Sequence, residues 1–223
     1  MPIRVLLVDD DPLVRTGLRF LLDSAPDLQV VAEAGDGDEA VAAVGRHGVD
    51  VVLMDLRLPR VDGITATRRV RSLRDAPQVI ALTTWDVDDA VMGALDAGAS
   101  GFLLKTAAPG EIIGAIRSVM AGDAVLSPRS TRQLLDRLGR DAVAGQRDAA
   151  RRAVGALTDR EREVAVGVAR GLTNAGIGGE LYLAEATVKA HVAAIQGKLG
   201  VANRVGIAVL AERHPAVLIG FDL

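Results

Sequence analysis

Five short apolar runs recur at near-regular intervals through the first half of the chain: Ile3–Val8, Leu28–Ala32, Val49–Met54, Val79–Leu82 and Gly101–Leu104. Several are rich in β-branched residues and apolar at successive positions, as strands buried on both faces of a parallel sheet must be. The segments between them have helical length and period. Asp11 followed by Pro12 gives an N-cap with proline at the first helical position, and Val14, Leu18, Leu21 and Leu22 then share one face. Asp36 to His47 and Ile64 to Leu73 follow the same pattern. Strict alternation of strand and helix predicts an α/β, doubly wound, five-stranded parallel sheet. In such a sheet ligands sit outside the carboxyl ends of the strands.

Those ends carry a particular chemistry. The first strand runs into Asp9, Asp10 and Asp11, the third into Asp55, the fourth into Thr83 and Thr84, and the fifth into Lys105. Clustered carboxylates repel one another, and a hard divalent cation with oxygen ligands relieves this; Mg²⁺ is the expected one. A carboxylate beside such a cation can attack phosphorus and form an aspartyl phosphate. The cation, a lysine and a hydroxyl can then neutralise the charge of the transferring group. Trp85, after the two threonines, is expected to pack rather than to act.

These residues resemble a response-regulator receiver domain over about residues 1–121. The match comprises VDDDP with Asp9 and Asp10, MDLRLPRVDG with Asp55, Thr83, and FLLK with Lys105. The resemblance implies a flavodoxin-like fold in which Asp55 accepts a phosphoryl group from a histidine kinase. It implies that Asp10, Asp55 and the Arg57 carbonyl bind Mg²⁺, with Asp9 acting mainly through water. Thr83 closes on the phosphoryl group, Lys105 pairs with it, and Phe102 takes the place of the aromatic switch residue.

The charge of the chain is uneven. Residues 1–122 carry 12 basic and 18 acidic residues, 123–154 carry 7 and 4, and 155–223 carry 7 of each. The first part should repel DNA, and any DNA contact in the last must come from a few placed charges. With five aromatic residues, base-stacking platforms for single strands are excluded. With no cysteine, so are a disulfide scaffold and thiolate chemistry. MPIRVLLVDD lacks the pattern of a signal peptide, and no apolar run suits a membrane span, so a cytoplasmic protein is expected. Residues 122–156 are expected to form a helical segment from Ser127–Pro128 and a linker from Gly139.

From Leu157 the pattern is purely helical. Thr158 and Glu161 form a capping box. A short segment, Thr173 to Leu181, precedes a helix of about 184–199 with Val188, Val192, Ile195 and Leu199 on one stripe. Gly176, Gly178 and Gly179 are expected to weaken the first of these. A small-residue outer face on the second suits close approach to a major groove. LTDREREV, GLTN, ATVKAHV and KLGVANR resemble the LuxR-type helix-turn-helix of NarL/FixJ response regulators, over about residues 157–210 of a domain spanning 157–223. By that resemblance Thr187, Lys189, Ala190, Ala193 and Lys198 face DNA. As the other cations near this face, Lys198 and Arg204 are expected to contact phosphate. The helix after Asn203 helps to form a homodimer on a double-stranded operator. The whole is then a two-component transcription factor, with no enzymatic activity beyond self-catalysed phosphotransfer to Asp55 and autodephosphorylation. Two alternatives stand beside it: a regulator that binds DNA without phosphorylation, and a Mg²⁺-dependent phosphatase with its nucleophile at Asp9.

Overall fold

The computed structural model describes residues 1–84, 88–123, 125–126 and 155–213. Trp85, the segment from Ser127–Pro128, the linker and the apolar C-terminal tail lie outside the described residues. The chain forms two compact units, one of Met1–Met120 with Val125–Leu126, the other including Ala121–Asp123 and residues 155–213.

The first unit runs β1 (Ile3–Val8), α1 (Pro12–Asp23), β2 (Leu28–Ala34), α2 (Gly37–Arg46), β3 (Val51–Asp55), α3 (Gly63–Arg71), β4 (Gln78–Thr83), α4 (Asp88–Asp96), β5 (Gly101–Leu104), α5 (Pro109–Met120) and β6 (Val125–Leu126). The sheet order is β2-β1-β3-β4-β5-β6, with every pairing parallel. The expected five strands are present, and the two-residue β6 extends the edge beyond β5. Successive strand residues feed opposite faces. Val5, Leu7 and Leu53 pack with Leu22, Ile112 and Ile116, whereas Leu6, Val8, Val52 and Met54 pack with Ala40, Ala66 and Val70. Asp11 caps α1 by accepting from the Leu13 amide at 2.8 Å, with Pro12 next in the helix.

The second unit contains α6 (Asp159–Ala169), α7 (Asn174–Leu181), α8 (Glu185–Leu199) and α9 (Arg204–Arg213). Val164, Ile177, Val188, Val192, Ile195 and Ile207 are at its centre. Thr158 and Glu161 make the capping box of α6. The glycines of α7 differ in kind. A Cβ at Gly179 meets nothing within 4 Å, but one at Gly178 would stand 2.6 Å from the Leu183 carbonyl oxygen. Gly178 is therefore what lets the turn close onto α7, not a weak point. Gly179→Ala is expected to stabilise the unit by about 0.8–1 kcal/mol, and Gly178→Ala to destabilise it by about 1–3 kcal/mol. Urea unfolding midpoints check both. Among the described residues no helix is long and apolar enough to cross a membrane.

Candidate functional site

The sheet reverses its winding between β1 and β3, which opens a crevice at their carboxyl ends. The register sets Val8 beside Met54, Asp55 beside Leu82 and Thr83 beside Leu104. The residues that follow or close these strands therefore converge. Asp9 and Asp55 are buried and Asp10 is exposed, and ligand oxygens of all three lie within 4.8 Å of one another. Lys105 Nζ reaches both buried acids, at 2.5 Å from Asp9 Oδ2 and 2.9 Å from Asp55 Oδ2. Its backbone amide donates to the Thr83 carbonyl at 2.7 Å, which ties the lysine to the end of β4. Thr83 is itself buried. Asp55 Oδ1 accepts from the Arg57 amide at 3.2 Å, and Asp9 Oδ1 from the Asp11 amide at 3.0 Å. Phe102 is fully buried within β5, opposite Ala81.

Burial pushes the Asp55 carboxyl above its ordinary value, against the opposing pull of Lys105. Burial alone would lower the Lys105 ammonium, but its two carboxylate partners prevail and raise it. The pair is thus a buried ion pair with a second acid attached. Asp9 Oδ2 meets Lys105 as a charge contact without the alignment of a hydrogen bond, so a buried oxygen keeps acceptor capacity. Three carboxylates and one ammonium sum to two negative charges. An all-oxygen donor set of that charge fits a hard divalent cation such as Mg²⁺.

In the second unit α8 buries Val188, Val192 and Ile195. Thr187, Lys189, Ala190 and Ala193 lie on the opposite, exposed side. Lys189 pairs with Glu185 at 3.1 Å, one turn earlier. Lys198 is held by Glu161 at 2.6 Å, and Glu161 also completes the capping box. The Lys198 ammonium, the Thr158 amide and the Thr158 hydroxyl hold the Glu161 carboxyl down at about 2. This second role of Glu161 has no local signal, because its partner is 37 residues away.

Arg204, expected to contact phosphate, is buried instead. It is only 8% exposed, and its guanidinium turns inward to donate to Asn174 Oδ1 at 2.5 Å and to the Leu172 carbonyl. A phosphate contact requires a guanidinium at the surface, and here buried acceptors claim it instead. Arg204→Ala is expected to lower the stability of this unit by about 3 kcal/mol, since it strands buried acceptors. Arg204→Lys should not restore it, because an ammonium lacks the planar fork. Were Arg204 a surface phosphate contact, its substitution would instead weaken DNA binding and leave the urea midpoint unchanged.

The family described as the response regulator receiver domain matches residues 5–117, and that of bacterial regulatory proteins of the luxR family matches residues 155–211. The transcriptional regulatory protein LiaR of Bacillus subtilis is 40% identical over 219 residues, which cover 96% of this chain and 99% of LiaR. The nitrate/nitrite response regulator NarP of Escherichia coli is 37% identical over 209 residues, covering 94% of each chain. Among solved structures, the response regulator ChrA of a heme-sensing two-component system is similar with a TM-score of 0.53 and 37% identity, over 96% of this chain and 98% of that one. Sheet, acidic crevice, helical unit and full-length similarity agree, and the chain belongs to the two-component response regulators that couple a receiver domain to a LuxR-type DNA-binding domain.

Proposed function

We propose that this transcription regulator is switched by phosphorylation of Asp55 and acts as a homodimer on double-stranded DNA in the cytoplasm. The observation that carries the proposal is the placement of Lys105 Nζ between Asp9 and Asp55, with Asp10 at the mouth of the same crevice. An Asp55 carboxylate oxygen attacks phosphorus of a kinase phosphohistidine; the O–P bond forms, the P–N bond breaks, and the imidazole leaves with the electron pair and takes a proton. Asp10, Asp55 and the Arg57 carbonyl would hold Mg²⁺, with Asp9 through water, and the ion supplies charge neutralisation at the phosphoryl oxygens. Lys105 exchanges a carboxylate partner for the phosphoryl group, and the Thr83 hydroxyl donates to it. The buried position of Phe102 lets a shift at the end of β4 be felt inside the domain.

The output surface is Thr187, Lys189, Ala190 and Ala193 of α8, with Lys198 at its end. The receiver is taken as residues 1–121, the connecting segment as 122–156 and the DNA-binding domain as 157–223. The protein is no enzyme toward other molecules; it catalyses only its own phosphorylation and hydrolysis of the product. Sedimentation and DNA titration before and after treatment with acetyl phosphate and Mg²⁺ test the reading. The expected result is a shift toward dimer and tighter operator binding; Lys189→Ala should weaken the operator binding and leave the dimer shift in place. Unchanged mass with unchanged affinity overturns the switch and favours a regulator that does not depend on phosphorylation.

A further inference from the structure

Asp36 stands at the N-cap position of α2, yet its side chain makes no cap bond to that helix. A carboxylate at this position ordinarily accepts from the first amides of its own helix. Here the side chain is buried, and both oxygens are used elsewhere. Oδ2 accepts from the Arg60 amide at 2.8 Å and Oδ1 from the Val61 amide at 3.0 Å. Both donors belong to the loop that leaves β3 after Asp55. The contact between the two segments is close. A Cβ at Gly37 would collide with the Val61 carbonyl oxygen and stand 2.9 Å from Ala66 Cβ. The Arg60 guanidinium folds back over the same turn, 3.1 Å from Asp38 and 2.9 Å from Glu39. At its inner end the loop is fixed by Arg57 N to Asp55 Oδ1 at 3.2 Å and by Gly63 N to the Leu56 carbonyl at 3.1 Å.

We infer that Asp36 is a positioning residue for metal binding: by clamping the Arg60 and Val61 amides it holds the loop, and with it the Arg57 carbonyl, where a divalent cation can use it. The inference rests on the phosphoacceptor reading of Asp55. A small hard cation demands its ligands in near-ideal places. Groups that orient ligands from behind commonly change affinity by about 10–100-fold when removed. Asparagine at position 36 keeps one acceptor and sets an NH₂ against the second amide, donor against donor. The clamp is reciprocal: a cation that draws on the loop must steady the two amides that Asp36 holds.

Mg²⁺ titrated calorimetrically into the full chain, with amide exchange followed by NMR, tests this. In the unaltered protein Mg²⁺ is expected to slow exchange at Arg60 and Val61. Asp36→Asn is expected to bind Mg²⁺ about tenfold more weakly, to exchange faster at those two amides, and to recover Asp55 labelling by acetyl phosphate at saturating Mg²⁺. Ala42→Gly, an exposed change within α2 that lowers stability without touching the clamp, is expected to keep the original Mg²⁺ affinity. A lower melting temperature in Asp36→Asn with unchanged Mg²⁺ affinity makes Asp36 merely structural and overturns the inference. So does an absence of Mg²⁺ protection at Arg60 and Val61 in the unaltered protein, whether or not the variant folds. If the unaltered protein binds no Mg²⁺ and takes no label, the phosphoacceptor reading fails first and the clamp with it.

Discussion

Asp55→Asn is expected to lower labelling by acetyl phosphate by roughly 10³-fold or more, as loss of a nucleophile does. An amide oxygen is a poor nucleophile and cannot carry the negative charge that attacks phosphorus. The fold should survive, because the asparagine oxygen can still accept from the Arg57 amide and Lys105 keeps Asp9 as a partner. The lost label should be acid-stable and base-labile, and in the unaltered protein it should map to the peptide carrying Asp55. Chelation of Mg²⁺ should abolish it as well. Intact mass and peptide mapping provide the check. Label retained at full rate, or found on Asp9, would point to phosphatase-like chemistry and remove Asp55 from its role.

The second large effect is conformational. A Cβ at Gly63 would collide with the Asp55 carbonyl oxygen, stand 2.7 Å from Leu56 Cα and 2.8 Å from the Asp55 carbonyl carbon. All three are backbone atoms at the end of β3, so no side chain can step aside. The first turn of α3 is also fixed by Asp62, which accepts from the Thr65 amide at 2.9 Å and the Thr65 hydroxyl at 2.8 Å. Gly63→Ala must therefore move α3 or the strand that ends in Asp55. The expected cost is about 3 kcal/mol or more, read as a lower urea midpoint, together with slower labelling of Asp55. Gly45→Ala in α2 is the control. Its added methyl meets nothing within 4 Å, and it should stabilise rather than destabilise. Equal midpoints for the two variants would show that the close approach at Gly63 relaxes without penalty.

The sheet was legible because strands buried on both faces have apolar residues at consecutive positions, a pattern that no solvent-facing segment imitates. Asp9, Asp55, Thr83 and Lys105 were legible for a related reason: each follows or closes such a run, so aligning the strands aligns the residues. Short β6 escaped because two residues carry no period. Arg204 misled because a lone arginine near a helix start looks the same whether it meets phosphate or a buried carbonyl. Its acceptors, Asn174 and Leu172, lie 30 and 32 residues earlier. Gly178 misled similarly, since helix propensity sees only its missing side chain and not the Leu183 carbonyl that fills the space. Asp36 has the identity of a helix cap, and only the folded chain shows that it serves another loop.

The lysine between the two buried acids also decides when the domain can be assembled. Two carboxylates side by side in a poorly solvated crevice would oppose folding unless a cation accompanied them. Lys105 is a cation that the chain carries with it, available from the moment β5 joins β4. Assembly need not wait for an ion from solution, and a newly made receiver can mature where free Mg²⁺ is scarce. On the proposed function, Mg²⁺ would then load later and reversibly onto a finished scaffold. In a variant without this lysine the balance would shift: the acids would rely on the ion for their neutralisation, and the melting temperature would rise more steeply with Mg²⁺ concentration than that of the unaltered protein.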